Sequence, residues 1–422
     1  MKKQYWFYID SYVYVSLKKD RVLLYNPYTS SILEYRGEDE IQKLVGQILS
    51  PTNLRVVRLS IEEIEKPGIM EFVSRVREHF MGDIIDVACS DGKPVQMPPA
   101  VKIQKDLKYL ATESDRSVGE NLMRYLSEIS LYINNTCGQG CSICKLAYRQ
   151  FPCCTADTRH SRELDIDRIR CLLEEIKGCP ISNINIMGGN IFSHSRWEDI
   201  PAILDLLACQ KTFLVHYLNA AGHVDILDIL DRIPRAGTGF KILITFPVDI
   251  SKFKDIIQVF DSTGHDFLPV FILQDENEAQ MMESFIYRFS ILKRKICLCY
   301  NEQNIDFFEK NIFISKEDII EARPTLRQID TNGSVNYLNF GKLSIFPDGS
   351  IHANPNKPGI GRIGSDSIFD VLYKEMNKNS SWFKIRKHVS PCRSCGYNML
   401  CPPISDYNYV IGKYNLCHIY NA

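Results

Sequence analysis

Seven of the 15 cysteines in this 422-residue chain fall into two tight groups, Cys137/Cys141/Cys144 and Cys392/Cys395/Cys401/Cys417. Thiols at such spacings cross-link in an oxidising compartment and bind metal or catalyse in a reducing one. The N-terminus points to the second case. Lys2 and Lys3 precede an apolar run, Tyr5 to Ile9, that Asp10 stops. That run is too short for a secretory signal and has no small-residue cleavage site. The odd cysteine total agrees. The expected compartment is the cytoplasm, and the expected chemistry is that of bound metal.

Cys137-Gly-Gln-Gly-Cys141-Ser-Ile-Cys144 is the sharpest motif. Three thiolates this close fold around one inorganic cluster, and Gly138 and Gly140 permit the tight, even positive-φ, turns this needs. Three protein ligands on a four-iron cube leave one iron open to an external ligand. The alternatives are zinc, with Cys153 or Cys154 as fourth sulfur, and unrelated buried cysteines. The tail group has four thiolates in a loop stiffened by Pro391, Pro402 and Pro403. Four ligands suit a closed site, either a 4Fe–4S cluster or structural zinc, and spacing does not separate the two. Cys89, Cys171, Cys179 and Cys209 read as small buried hydrophobes. Cys297 and Cys299 alternate on a strand and line a core.

The elements that position these groups follow from periodicity. Residues 1–100 start with short β runs, Tyr5–Ile9, Tyr12–Leu17 and Val22–Tyr25, followed by helical stripes at Glu38–Leu49 and Ile61–Phe80. This predicts a small α+β unit of winged-helix type, with a linker at 101–125. From 126 to 337 strands and helices alternate. Strands are expected at Ile129–Ile133, Ile184–Met187, Phe213–Leu218, Ile242–Phe246 and Leu268–Leu273, with helices between them. Such alternation argues for an α/β parallel sheet or barrel with helices outside. Its chemistry belongs at the C-terminal ends of the strands. Both the first cysteines and Gly188-Gly189 fall there. Residues 338–422 hold a Pro347-Asp348-Gly349 hairpin, a helix near Ile368–Met376 and the cysteine tail.

Composition excludes several classes. Lysine plus arginine (50) balances aspartate plus glutamate (51), so net charge offers no case for nucleic acid or a membrane surface. No run of about 18 apolar residues is present, so no membrane-spanning helix is expected.

C-x-x-x-C-x-x-C after a first strand, ahead of a β/α array, resembles the radical S-adenosyl-L-methionine (SAM) superfamily. The resemblance implies a partial (β/α)6 TIM-like barrel. It also implies a 4Fe–4S cluster on Cys137, Cys141 and Cys144, whose open iron chelates SAM for radical hydrogen abstraction. Two positions depart from the family. Ile143 replaces the usual aromatic residue, and Gly188-Gly189-Asn190 replaces Gly-Gly-Glu. Asn190 keeps an acceptor oxygen but lacks the charge that favours the SAM ammonium. A plain turn is the alternative for Gly188-Gly189.

The tail resembles the SPASM extension of radical SAM peptide maturases. The resemblance assigns one auxiliary 4Fe–4S cluster to Cys392, Cys395, Cys401 and Cys417. A second auxiliary cluster lacks its ligands, because Asn354 and Ser405 stand at cysteine positions. The order of units resembles maturases of ribosomally made peptides (RiPPs). That implies a precursor peptide whose leader adds to a sheet edge of the N-terminal domain, in the run Tyr5–Tyr25, and an external electron donor. The alternative for this domain is a structural cap. The expected function is therefore a radical SAM/SPASM enzyme that modifies a peptide by 5′-deoxyadenosyl-radical hydrogen abstraction. The alternative is a diverged, non-catalytic member that binds precursor peptide beside a partner maturase. The sequence names no catalytic acid or base.

Overall fold

The computed structural model describes residues 3–97, 121–139, 149–152, 162–223, 225–378 and 381–419. In the N-terminal unit, β1 (Gln4–Ile9) lies between β5 (Val56–Ser60) and β6 (Gly82–Asp86), antiparallel to both. Strands β2 (Tyr14–Lys18), β3 (Arg21–Tyr25) and β4 (Ile32–Arg36) form a separate antiparallel meander. Helix α1 (Asp39–Leu49) buries Ile41, Leu44, Val45 and Ile48, the stripe its sequence predicts. The stripe expected over Ile61–Phe80 is two helices, α2 (Ile61–Ile64) and α3 (Pro67–Glu78). Pro67 has no N–H to continue a helix and disfavours helical geometry in the residue before it, so it starts a new one. The expected edge needs correcting too. Both β1 and β3 are central strands, so only β2 of the run Tyr5–Tyr25 is an edge.

Strands β7 (Glu128–Tyr132), β8 (Asn183–Met187), β9 (Gln210–His216), β10 (Thr238–Thr245), β11 (Phe267–Leu273) and β12 (Lys295–Leu298) pair in sequence order. All five pairings are parallel. Helices α4 (Ile166–Glu175), α5 (Ile200–Leu204), α6 (Tyr217–Ala221), α7 (Ile226–Asp231), α8 (Ile250–Thr263) and α9 (Glu276–Phe289) connect them. Residues such as Leu131, Ile186, Val215, Ile244 and Phe271 join the helices in the largest core. Alternate residues form smaller clusters: Tyr132, Met187 and Leu214 with Phe346, and Leu243, Val270, Ile272, Cys297 and Cys299 with Phe151. Side chains of one strand alternate between faces, so both faces of this sheet are apolar. Cys297 and Cys299 line a core, as expected.

Three further helices, α10 (Ile305–Asn311), α11 (Lys316–Ala322) and α12 (Leu326–Ser334), lead to β13 (Lys342–Ile345), which pairs parallel to β7. Strands β14 (Ser350–His352) and β15 (Gly361–Arg362) follow antiparallel, making a nine-stranded sheet. Gly349 takes φ 85° in the hairpin turn. Helix α13 (Ile368–Lys378) precedes the cysteine tail, and α14 (Asp406–Ile411) lies within it, between Cys401 and Cys417. The expected linker lies outside the described residues except for 121–125, a short 3-10 helix. No helix among the described residues is long and apolar enough to cross a membrane.

The N-terminal unit packs directly on the tail. Tyr14, Leu23 and Tyr25 share a core with Ile319, Ile329, Tyr397, Leu400 and Cys401. The Tyr14 hydroxyl donates to the Gly396 carbonyl at 2.9 Å. Glu34 accepts from Lys316 (3.0 Å) and the Tyr397 hydroxyl (3.1 Å).

Candidate functional site

The first cysteine group begins five residues beyond β7. Of its members, Cys141 and Cys144 lie outside the described residues, as do Gly140, Ile143, Cys153 and Cys154. Cys137 is half-buried, and Asn219 Nδ2 donates to its Sγ at 3.5 Å. Asn219 also accepts from Gln139 Nε2 at 2.9 Å. It sits in α6, just past the C-terminal end of β9, and is buried. Gly138 departs from expectation: its φ is not positive, and a Cβ there would meet nothing within 4 Å.

The Gly188-Gly189-Asn190 turn is pressed against the segment that leads from β7 to Cys137. Gly188 and Gly189 have φ of 102° and 51°. A Cβ on Gly189 would stand 2.2 Å from Asn134 Oδ1 and 2.3 Å from the Thr136 carbonyl. One on Gly188 would stand 2.5 Å from the Asn134 carbonyl. Only glycine fits either position without displacing backbone. Two hydrogen bonds lace the seam, Asn190 N–H to the Thr136 carbonyl (2.6 Å) and Asn134 Nδ2 to the Asn190 carbonyl (2.7 Å). The side chain of Asn190 turns to its own segment. Its Oδ1 accepts from Phe192 N–H (3.3 Å) and its Nδ2 donates to Ser193 Oγ (2.7 Å).

His216 ends β9 beside this seam. Its Nδ1 accepts from Leu218 N–H at 3.3 Å, which leaves Nε2 protonated toward Thr245 Oγ1 at 3.1 Å. Burial pushes its pKa down to about 4, so the ring is neutral at pH 7.

Cys392, Cys395, Cys401 and Cys417 line one cavity. Burial pushes the Cys392, Cys395 and Cys401 thiols up, Cys401 to about 12, and neighbouring cysteines of the group push each further. A metal would have to displace those protons. Arg386 is buried at the cavity wall. Its Nε donates to the Pro402 carbonyl (2.5 Å), and its Nη1 to the Tyr414 carbonyl (2.5 Å) and Cys392 Sγ (3.6 Å). One guanidinium thus ties together all three segments that carry the cysteines. It has no carboxylate partner among the described residues. A buried cation needs an anion, and thiolates would supply it. Four sulfurs on one cavity wall beside a compensating cation supply the donor types of a closed, anionic metal site. They are not drawn together to metal-binding distance: no group of three or more His, Cys, Asp and Glu is gathered for a metal ion among the described residues.

Asn354 and Ser405, which the resemblance sets at cysteine positions, are engaged otherwise. Asn354 is fully buried and donates to Asp406 Oδ1 (2.8 Å) and Asn339 Oδ1 (3.0 Å). Asn356 donates to the same Asp406 oxygen at 3.1 Å. Ser405 caps α14 in a capping box with Asn408. Two other cysteines correct expectation: Cys89 and Cys171 are exposed, while Cys179 and Cys209 are partly buried. The 3-10 turn at Val87–Cys89 and the outer face of α4 carry the exposed pair.

No protein-family model matches the sequence, and no curated protein does either. The chain is similar to several solved structures with bound S-adenosylmethionine. Streptococcus suis SuiB, solved with S-adenosylmethionine bound, is 12% identical over 97% of this chain and 98% of its own, with a TM-score of 0.48. Native anSMEcpe with bound AdoMet is 12% identical over 68% of this chain and 96% of its own, with a TM-score of 0.47. The same protein with AdoMet and a Cp18Cys peptide gives 12% identity, 68% and 95% coverage and a TM-score of 0.45.

Proposed function

We propose that this chain is a radical SAM/SPASM enzyme that modifies a ribosomally made peptide. The observation that carries the reading is the seam between Gly188-Gly189-Asn190 and the segment that leads to Cys137. It joins a cysteine motif to a glycine turn at the C-terminal ends of neighbouring parallel strands, where α/β enzymes hold their cofactors. Cys137, Cys141 and Cys144 would hold a 4Fe–4S cluster with one open iron, and Gly188-Gly189-Asn190 would flank the SAM amino group. When bound, the cluster and SAM supply radical hydrogen abstraction.

The chain's own residues have defined tasks in this reading. Asn219 orients Cys137 through its amide N–H. The sequential parallel strands form a partial (β/α)6 barrel whose interior admits the peptide. The tail cysteines hold one auxiliary 4Fe–4S cluster, which Arg386 balances in charge. The Asn354–Asp406–Asn356 hydrogen bonds support the absence of a second auxiliary cluster, since a polar network occupies those positions. The N-terminal unit takes the leader as an added strand at a free edge, β2 or β4. An external donor supplies electrons.

Anaerobic reconstitution followed by SAM and dithionite tests this. The expected product is 5′-deoxyadenosine. Its absence from protein carrying a full iron complement overturns the enzymatic reading.

The conformation of Asn190 favours a second reading. Its side chain serves Phe192 and Ser193 and carries no charge for an ammonium. In that case the chain binds precursor peptide beside a partner maturase without cleaving SAM. Asn190→Glu then tightens SAM binding by about tenfold, since a charge-assisted hydrogen bond replaces a neutral one. Calorimetric titration with SAM measures this, and unchanged affinity rejects Asn190 as the weak point.

A further inference from the structure

A cavity of about 230 Å³ opens between the end of the β7 segment and the β13–β14 hairpin, lined by Asn135, Arg149, Arg162, Phe346, Ser350 and His352. Two guanidinium groups face it, and neither has an ion-pair partner among the described residues. Arg149 is held rigidly. Its guanidinium carbon lies 4.2 Å from the centre of the Phe346 ring and 5.3 Å from that of Tyr132. Its backbone is locked to Asn356, whose side chain accepts from Arg149 N–H and donates to its carbonyl, both at 2.7 Å. Arg149 Nε is buried and lacks a hydrogen-bond partner. The one acid on the wall, Asp348, is already committed. It accepts from Ser350 N–H (2.9 Å) and Oγ (2.7 Å) and pairs with Arg362 at 3.7 Å. His352 is occupied by Ser350 Oγ and the Lys357 carbonyl. Among the described residues, the cavity therefore holds surplus positive charge.

We propose that this cavity is a carboxylate site that takes an acidic side chain of the peptide, an assignment that rests on the peptide-modifying reading above. Phe346 and Tyr132 both lie to one side of the Arg149 guanidinium. A guanidinium matches the flat, two-oxygen end of a carboxylate. SAM also carries a carboxylate. The cavity wall includes neither Cys137 nor Gly188, Gly189 or Asn190, so the peptide is the assigned source.

The probes are N-acetylglutamate methylamide and N-acetylglutamine methylamide, titrated into the full chain by ligand-observed NMR. The glutamate probe binds about tenfold tighter than the glutamine one. Arg149→Gln with Arg162→Gln abolishes that preference and leaves SAM affinity unchanged. Arg162 is exposed, so Arg162→Gln alone keeps the test open if the double variant misfolds; it reduces the preference. Equal binding of both probes by the natural chain overturns the proposal. So does a double variant that loses as much SAM affinity as SAM loses when decarboxylated, because the carboxylate is then the cofactor's. The titration needs neither iron nor SAM cleavage. A failed turnover assay with intact glutamate preference rejects the enzymatic reading alone, and the converse rejects the carboxylate site alone.

Discussion

Gly188 and Gly189 are where a single methyl group decides the site. The Gly189 Cβ clash is with a side-chain oxygen and a backbone carbonyl of the segment that leads to Cys137, and φ is positive as well. Gly189→Ala is expected to cost about 2–4 kcal/mol in urea unfolding. Gly138→Ala, which meets open space, is expected within about 0.5 kcal/mol of the natural chain. Equal effects would contradict the seam. Arg386 gives the matching prediction at the tail. Arg386→Met leaves the three cysteine-bearing segments untied and the thiolates uncompensated, so most tail-site metal is lost on desalting. Arg386→Lys retains more, as metal analysis of the reconstituted variants would report. Both cysteine groups and the glycine pair are visible in the sequence, because ligand spacing and Gly-Gly are local signals. Asn219, His216 and Arg386 are not. Each is a lone polar residue whose role arises only when distant segments meet.

At the scale of elements, β9 and α6 meet at His216. Its imidazole is buried neutral, with its pKa depressed from 6.5 to about 4. The unfolded chain therefore binds a proton that the folded chain refuses between those values. Stability is fully present above pH 6.5 and falls as pH drops toward 4. The expected loss from this group is about 2 kcal/mol between pH 7 and pH 5. His216→Asn removes that increment, and urea midpoints at the two pH values measure it; an unchanged pH dependence would contradict the assignment. The strands β7–β11 were legible because each is an apolar run between helical stripes. Strand β5, Val56-Val57-Arg58-Leu59-Ser60, was not, since Arg58 interrupts its apolar run and it passes directly into α2. Helices α11 and α12 carry readable start signals, the capping boxes Ser315/Asp318 and Thr325/Gln328. Their apolar stripes are too short to reveal them by periodicity.

Across the whole molecule, the N-terminal unit and the cysteine tail are joined although they stand at opposite ends of the chain. Leu23 is fully buried, its side chain against Gly396, one residue past Cys395. Leu23→Ala opens a cavity worth about 2–4 kcal/mol at that joint. It is expected to speed loss of tail-site metal to a chelator. Val76→Ala, in the separate core of the N-terminal unit, is the control and leaves that rate unchanged. Equal rates in the two variants would contradict a shared joint. The order of units was readable from the change of periodicity along the chain. Their docking was not, because Tyr14, Leu23 and Tyr25 look like ordinary strand residues until the tail covers them.

In the proposed function both cysteine groups hold iron–sulfur clusters. Iron, sulfide and zinc analysis of anaerobically reconstituted protein tests it most directly. The expected result is a brown protein with about eight irons and eight sulfides per chain. A colourless protein containing zinc and no sulfide would contradict it.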